Sequence, residues 1–262
     1  MRLSLRSFDR LAICAGLIAI WQGFSLAYGP YWASSPWLVM TRTISEVQAG
    51  DLLFHAGYTL QEAIYGFLIG GIPAAILPFA LRRHAKVIAV LDPFMVGGYG
   101  LPKLALAPLF ILWFGIDIES KIALVAIATF FIVYFSALTG VRSLDLKLVD
   151  MARILGASER DIARHVVWPG AVPHVFAGFR VALPYAIGGA VVAEMISSNR
   201  GLGYFIQSGA MNFDTTQIFV AVAVVTLIVI LSSSVLTRCE AFLLRWRPPA
   251  DATESLRAEA AL

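Results

Sequence analysis

The sequence predicts an all-α membrane protein with about six transmembrane helices, and three observations carry that prediction. Of 262 residues, 59% are hydrophobic and 14% charged, and the mean hydropathy is +0.78. Soluble domains run nearer a quarter charged. Several stretches stay apolar over about the 20 residues that crossing the hydrocarbon core requires. The 20 basic residues, finally, divide unevenly among the connections that six spans create.

The spans fall near residues 11–29, 57–81, 101–116, 120–140, 175–198 and 217–237. The first follows a basic start and carries "LAICAGLIAI" with small residues by Ala27, which also resembles a secretory signal; five further spans keep the chain in the membrane under either reading. After it, "YGPYWASSPWLVM" places Tyr28, Tyr31, Trp32 and Trp37 where an aromatic belt meets the interface. The third span is short, and "LDPFMVGGYGLP" before it is apolar but interrupted by Pro93, Gly97, Gly98, Gly100 and Pro102. Irregular backbone survives at membrane depth only inside protein or beside water, so this piece reads as an interfacial or re-entrant lead-in.

Fifteen basic residues share one side of such a topology: Arg2, Arg6 and Arg10 before the first span; Arg82, Arg83 and Lys86; Arg142, Lys147, Arg153, Arg160 and Arg164; and Arg238, Arg245, Arg247 and Arg257 after the last. The alternate connections hold three, Arg42, Lys121 and Arg200, with Lys103 and Arg180 near span ends. The positive-inside rule then puts both termini in the cytoplasm.

Catalytic signatures are missing. There is no HExxH, no GxSxG and no phosphate-cradling GxxxxGK[ST]. His55, His84, His165 and His174 are scattered, and Cys14 and Cys239 lie near opposite ends, so neither metal site nor disulfide framework is expected.

The most polar long stretch before the tail is "LVDMARILGASERDIARHVVWPG", residues 148–170, between the fourth and fifth spans. Leu148, Met151, Ile154 and Leu155 recur at helical spacing, Gly156 can end that helix, and Ser158 with Asp161 has the pattern of an N-terminal cap. A second short helix carries Ile162 and Val166 and is expected to stop at Pro169. Three readings compete for this hairpin. A DNA-binding helix-turn-helix matches locally through Ala152, Gly156 and Ile162 but lacks a third helix for a core. A plain solvated loop needs none of this patterning. A docking element, with an apolar face and a rim of Arg153, Arg160 and Arg164, accounts for all of it.

The stretch resembles the cytoplasmic EAA loop of ABC-transporter permeases, whose pattern is E-A-A, three residues, G, nine residues, then I-x-L-P. Asp150, Met151, Ala152, Gly156, Val166 and Pro169 fall on it in register. "LPKLALAPLFILWFGI", "ARILGAS", "GFRVAL", "VVAEM" and "GLG" are similar to the binding-protein-dependent permeases of the sulfonate, taurine, nitrate and bicarbonate type, and the likeness covers roughly residues 34–240. The resemblance implies a methionine-permease-like core and a cytoplasmic coupling-helix hairpin that seats in a cleft of an ATPase. Asp150, Met151, Ala152, Arg153, Gly156, Ala157, Ser158, Arg160, Arg164 and Pro169 would form that coupling surface. It also implies two cytoplasmic ABC ATPase subunits, a second permease copy, a periplasmic or lipid-anchored solute-binding protein, a bacterial inner-membrane location, and no nucleic acid. No cofactor is expected on this chain; ATP and Mg would sit on the ATPase. The expected organisation is an N-terminal span with an external interfacial segment (1–56), a permease core (57–240) with the EAA loop at 141–174, and a cytoplasmic tail (241–262).

The chain departs from the family pattern in the fourth span, where Ile132 and Ser136 replace a Pro and an Asn, and in the fifth, where Pro184 and Ile187 replace a Gly and a Trp. Such changes alter kinks and path width, which makes Ser136, Pro184 and Ile187 candidates for lining a translocation path. Glu194, about one turn inside the fifth span, joins them because an acid at that depth requires a partner or water. Its alternative is snorkelling or an interhelical hydrogen bond. The family pattern makes Gly201, Leu202 and Gly203 an outer turn. The expected function is the permease subunit of an ATP-driven importer for a small anionic solute. The alternative is an ATP-independent secondary transporter, against which the scarcity of intramembrane acids counts.

Overall fold

The structure, a computed structural model, describes residues 2–246, with side chains from residue 12 onward except Leu146. Arg247, Arg257 and the tail beyond Trp246 lie outside the described residues, as do the side chains of Arg2, Arg6 and Arg10. Among the described residues every regular element is helical and no strand occurs. The helices are α1 (Arg2–Tyr28), α2 (Pro30–Ala33), α3 (Pro36–Ala49), α4 (Asp51–Leu81), α5 (Ala85–Gly100), a 3-10 turn (Lys103–Leu106), α6 (Ala107–Phe114), α7 (Ile118–Arg142), α8 (Leu146–Ile154), α9 (Glu159–Ile162), a π-helical turn (Ala163–Val167), α10 (Trp168–Ile196), α11 (Leu202–Met211) and α12 (Thr215–Leu243).

Four helices are long and apolar enough to cross a membrane: α4, α7, the continuous run Glu159–Ile196, and α12. The broken pair Ala85–Gly100 and Lys103–Phe114 makes a fifth if taken as one span, and Ala12–Tyr28 adds a shorter apolar helix. Four to five apolar spans are therefore present where about six were expected, the first expected span falling on the shorter helix, and two details differ. The lead-in read as irregular is helical through Gly100, and the break comes at Leu101 and Pro102. Gly98 there serves close approach, since a Cβ on it would overlap the Phe131 ring. The second short helix does not stop at Pro169. The chain passes without a break through the π-helical turn into α10, and the extra residue of that turn widens the backbone just before Pro169.

The chain forms two compact units. The first takes in residues up to Ile69, Pro102–Ala128 and Tyr185–Val229; the second takes in Gly70–Leu101, Thr129–Pro184 and the chain from Ile230. In the first, Val39, Leu52, Leu202, Phe205, Val220 and Ala221 form a buried core beneath Trp21, and Ala107, Phe110, Leu124 and Ala193 form another. Polar ties fix the short elements: Trp21 Nε1–H donates to Ala33 O (2.8 Å), and Ser34 and Thr216 hydroxyls bond at 2.9 Å. α3 begins with Ser35 accepting from Leu38 N–H and Pro36 in the first turn, and ends at left-handed Gly50. Its Trp37, Met40 and Ile44 point out of the protein, together with Tyr28, Tyr31 and Trp32. That outward apolar and aromatic set suits an interface helix in the membrane.

In the second unit α7 and α10 meet through small residues. A Cβ on Gly140 would crowd Ala171 and His174, and one on Gly178 would crowd Ser136, so these glycines set the helix separation. Arg180 pairs with Glu240, and Arg142 with Asp92 at 3.6 Å.

Candidate functional site

The hairpin, in the second unit, is built by local chemistry that the sequence displays. Asp145 caps α8 by accepting from Lys147 N–H at 2.9 Å. At the other end Gly156 takes φ +81°, Gly156 N–H donates to Arg153 O (2.9 Å) and Ala157 N–H to Ala152 O (3.0 Å). That pair of bonds is the Schellman arrangement, and it needs a residue tolerant of the left-handed region at Gly156. Ser158 and Asp161 then form a capping box, with Asp161 N–H on Ser158 Oγ (3.2 Å) and Ser158 N–H on Asp161 Oδ2 (3.1 Å).

Two surfaces result. Leu148 (53% exposed), Met151 (59%), Ile154 (85%) and Leu155 (84%) make an apolar face without cover among the described residues. All three arginines expected on the rim are exposed, and Arg153 also pairs within its own hairpin, with Asp150 at 3.4 Å and Glu159 at 3.2 Å. Glu159 also receives Arg83 at 3.9 Å, and its carbonyl receives Arg82 at 3.3 Å. The hairpin is thus tied to the connection between α4 and α5. Each exposed pair contributes little alone, but together they restrict one orientation. Ala152, Ala157 and Pro169 are partly buried and add no polar group.

The path candidates are divided between the two units. Ser136 belongs to the second unit, beside Gly178, and so does exposed Pro184, inside α10; Ile187 and Glu194 belong to the first unit and are 1% exposed each. Glu194 neither snorkels nor stands unpaired. Its Oε1 accepts from Thr59 Oγ1 (2.7 Å), and its Oε2 accepts from Gly203 N–H (2.6 Å). The interhelical hydrogen-bonding alternative describes this geometry.

Two charged partners escaped the sequence reading. Glu62 on α4 is 3% exposed, with its carboxyl in hydrogen-bonding reach of Glu194. Lys121, counted among the alternate connections, is 2% exposed in the first turn of α7, near both acids, and donates to the carbonyls of Ile116 and Asp117 (3.1 Å to the latter). Glu62 Oε2 has no hydrogen-bond partner among the described residues. Burying two acids and a base beside one another is costly unless they compensate one another. A sequence signal did exist: Thr59 and Glu62 lie within the second apolar window, three residues apart and so on one helix face.

Residues 37–246 match the family model described as "Binding-protein-dependent transport system inner membrane component". The chain is 36% identical over 238 residues to SsuC of Escherichia coli strain K12, named for transport of aliphatic sulfonates, with 89% of each chain covered. It is 35% identical over 232 residues to the riboflavin transport system permease protein RibX of Chloroflexus aurantiacus, covering 88% of this chain and 87% of the relative. Its fold is similar to a chain of the MetNI methionine ABC transporter in an inward-facing conformation, with a TM-score of 0.60 and 17% identity over 73% of this chain and 93% of the other. That likeness is one of fold, and it matches the methionine-permease-like core expected above.

Proposed function

We infer the working of this chain from one premise: it belongs to the family of binding-protein-dependent transport system inner membrane components, the permease subunits of ABC importers. As such it is a multi-pass membrane protein of the transport class. Beyond that, the reading is that it pairs with a second copy, receives solute from an external binding protein, and couples through the hairpin to two cytoplasmic ATPase subunits. ATP and Mg would be held by those subunits, since this chain has no phosphate-cradling loop. ATP-driven closure of the ATPase pair would draw two hairpins together and tip the spans between inward-open and outward-open states. Both termini and the hairpin then face the cytoplasm, as the basic residues favour.

The observation that carries this reading is the apolar face of α8. Ile154 and Leu155 are 85% and 84% exposed at the tip of a hairpin capped at both ends. A water-side hairpin with such a face suits insertion into an apolar groove of a partner. A small anionic solute of the sulfonate, taurine or nitrate kind fits the sulfonate-named relative; the riboflavin-named one is of another solute class, which fits a reading in which the binding protein chooses the solute. The secondary-transporter alternative gains one observation, the buried Glu62, Glu194 and Lys121, which removes the scarcity of acids as an argument against it.

The test is capture of an ATPase by the tagged permease from detergent-solubilised native membranes, comparing wild type with Ile154→Asp/Leu155→Asp. Both residues are exposed, so folding should change by no more than about 0.5 kcal/mol each. Capture by wild type alone is expected. Equal capture by the double variant sinks the apolar docking face, and no capture by either, under conditions that preserve complexes, favours the secondary transporter. Arg153→Glu is a poorer probe, because it would also repel Asp150 and Glu159 within the hairpin.

A further inference from the structure

Three consecutive backbone N–H groups at the start of α11 are each held by a side chain from elsewhere in the first unit. Gly201 N–H donates to His55 Nδ1 (3.0 Å), Leu202 N–H to Thr59 Oγ1 (2.8 Å) and Gly203 N–H to Glu194 Oε2 (2.6 Å). His55 and Thr59 lie one turn apart on α4, and Glu194 lies on α10. The first amides of a helix have no partner within it, so this row replaces an ordinary cap and ties α11 to two long helices.

The three acceptors differ in what one proton does to them. A threonine hydroxyl does not titrate in water's range, and a carboxyl that takes up a proton still has lone pairs to accept with. A neutral imidazole has a single acceptor nitrogen, and here Gly201 N–H occupies it, which assigns the other ring nitrogen the hydrogen. An imidazolium has no acceptor. We propose that His55 makes the anchorage of α11 sensitive to pH: the neutral ring holds Gly201 N–H at the start of α11, and protonation releases it. Release also disturbs packing, because the ring lies 5.6 Å from those of Tyr204 and Phe205.

The charged groups around the ring are Glu46 of α3 and Asp51 of α4. Arg200 precedes Gly201 and is engaged by Tyr58 at 2.7 Å, and Glu194, with Glu62 and Lys121 behind it, holds the far end of the row. The sign follows from the acceptor requirement. The Gly201 bond is complete while the ring is neutral and is lost as pH falls and the ring takes up its proton. That this end of the molecule meets the external medium rests on the transport reading; the hydrogen bond and its test do not.

The experiment is amide hydrogen exchange over residues 198–206 of the full chain in lipid nanodiscs, corrected for the intrinsic pH dependence of exchange. Wild type is compared with His55→Asn, whose Oδ1 reaches the place of Nδ1 and accepts without titrating. Protection at Gly201 should fall about tenfold in wild type between roughly pH 7.5 and pH 5, the ratio one hydrogen bond supports, and stay level in His55→Asn. Ring-nitrogen NMR shifts of wild type keep the idea testable if the variant does not fold: Nδ1 should be unprotonated at neutral pH and gain its proton with the midpoint at which protection falls. The same pH dependence in both proteins, or a protonated Nδ1 while Gly201 is still protected, overturns the proposal. Failure to capture an ATPase would leave these outcomes unchanged.

Discussion

Gly203 and Gly57 are both helical glycines of the first unit, and they carry opposite expectations. A Cβ on Gly203 would strike the carbonyl of Val191 and crowd Glu194, and backbone cannot yield as a side-chain tip can. Gly57, in α4, has nothing within 4 Å of its place for a Cβ. Gly203→Ala should therefore destabilise by about 1–3 kcal/mol through overpacking, while Gly57→Ala should stabilise by roughly 0.5–1 kcal/mol by restricting the unfolded chain. Thermal unfolding in detergent checks this, with the midpoint lowered in the first variant and raised in the second; shifts of one sign in both would count against the packing around Glu194. At this scale Glu194 was legible, because one acid in an apolar window stands out. Lys121 was not, because Asp117 and Glu119 beside it give it the company of a loop residue, and only the fold shows its ammonium turned back onto main-chain carbonyls.

Among the elements, the hairpin was legible in its caps and illegible in its exit. Caps are local: Ser158 with Asp161 three residues on, and Gly156 after an amphipathic turn, act through neighbours in the chain. The exit depends on whether the ring of Pro169 clashes with the preceding turn, and the π-helical Ala163–Val167 widens that turn by one residue. The short helix α11 was not foreseen either, because its start is held by His55, Thr59 and Glu194 from distant parts of the sequence. The π-helical turn yields an expectation of its own. Deleting Ala163 should restore ordinary α geometry and rotate the hairpin about 100° around the axis of α10. Glu159 would then face away from Arg82 and Arg83, to which it is now tied. The shortened chain should still insert in the membrane but lose ATPase capture, whereas the exposed change Asn199→Ala, outside the hairpin, should leave capture close to wild type. Full capture by the deletion variant would show that the hairpin's rotation does not matter.

For the molecule as a whole, the apolar helices and the charge asymmetry were legible because both depend on composition over long windows. The split into two units was not, since α4, α7, α10 and α12 each contribute one part to either unit and nothing in a continuous apolar run marks the crossing point. Burial of Lys121 strengthens the orientation argument: of the three basic residues on the sparse side, one lies inside the protein, leaving Arg42 and Arg200 near the surface. Orientation is then a claim about two exposed residues, Asn199 after α10 and Arg160 in the hairpin. With the two exposed cysteines, Cys14 and Cys239, changed to serine, single cysteines at these positions can be treated with a membrane-impermeant maleimide. Asn199→Cys should react in intact spheroplasts, and Arg160→Cys only after the membrane is opened. The reverse pattern would put the hairpin outside, where no ATPase could meet it. Reaction of both from outside would mean that an even number of crossings separates residues 160 and 199, and the span carried by α10 would have to be withdrawn.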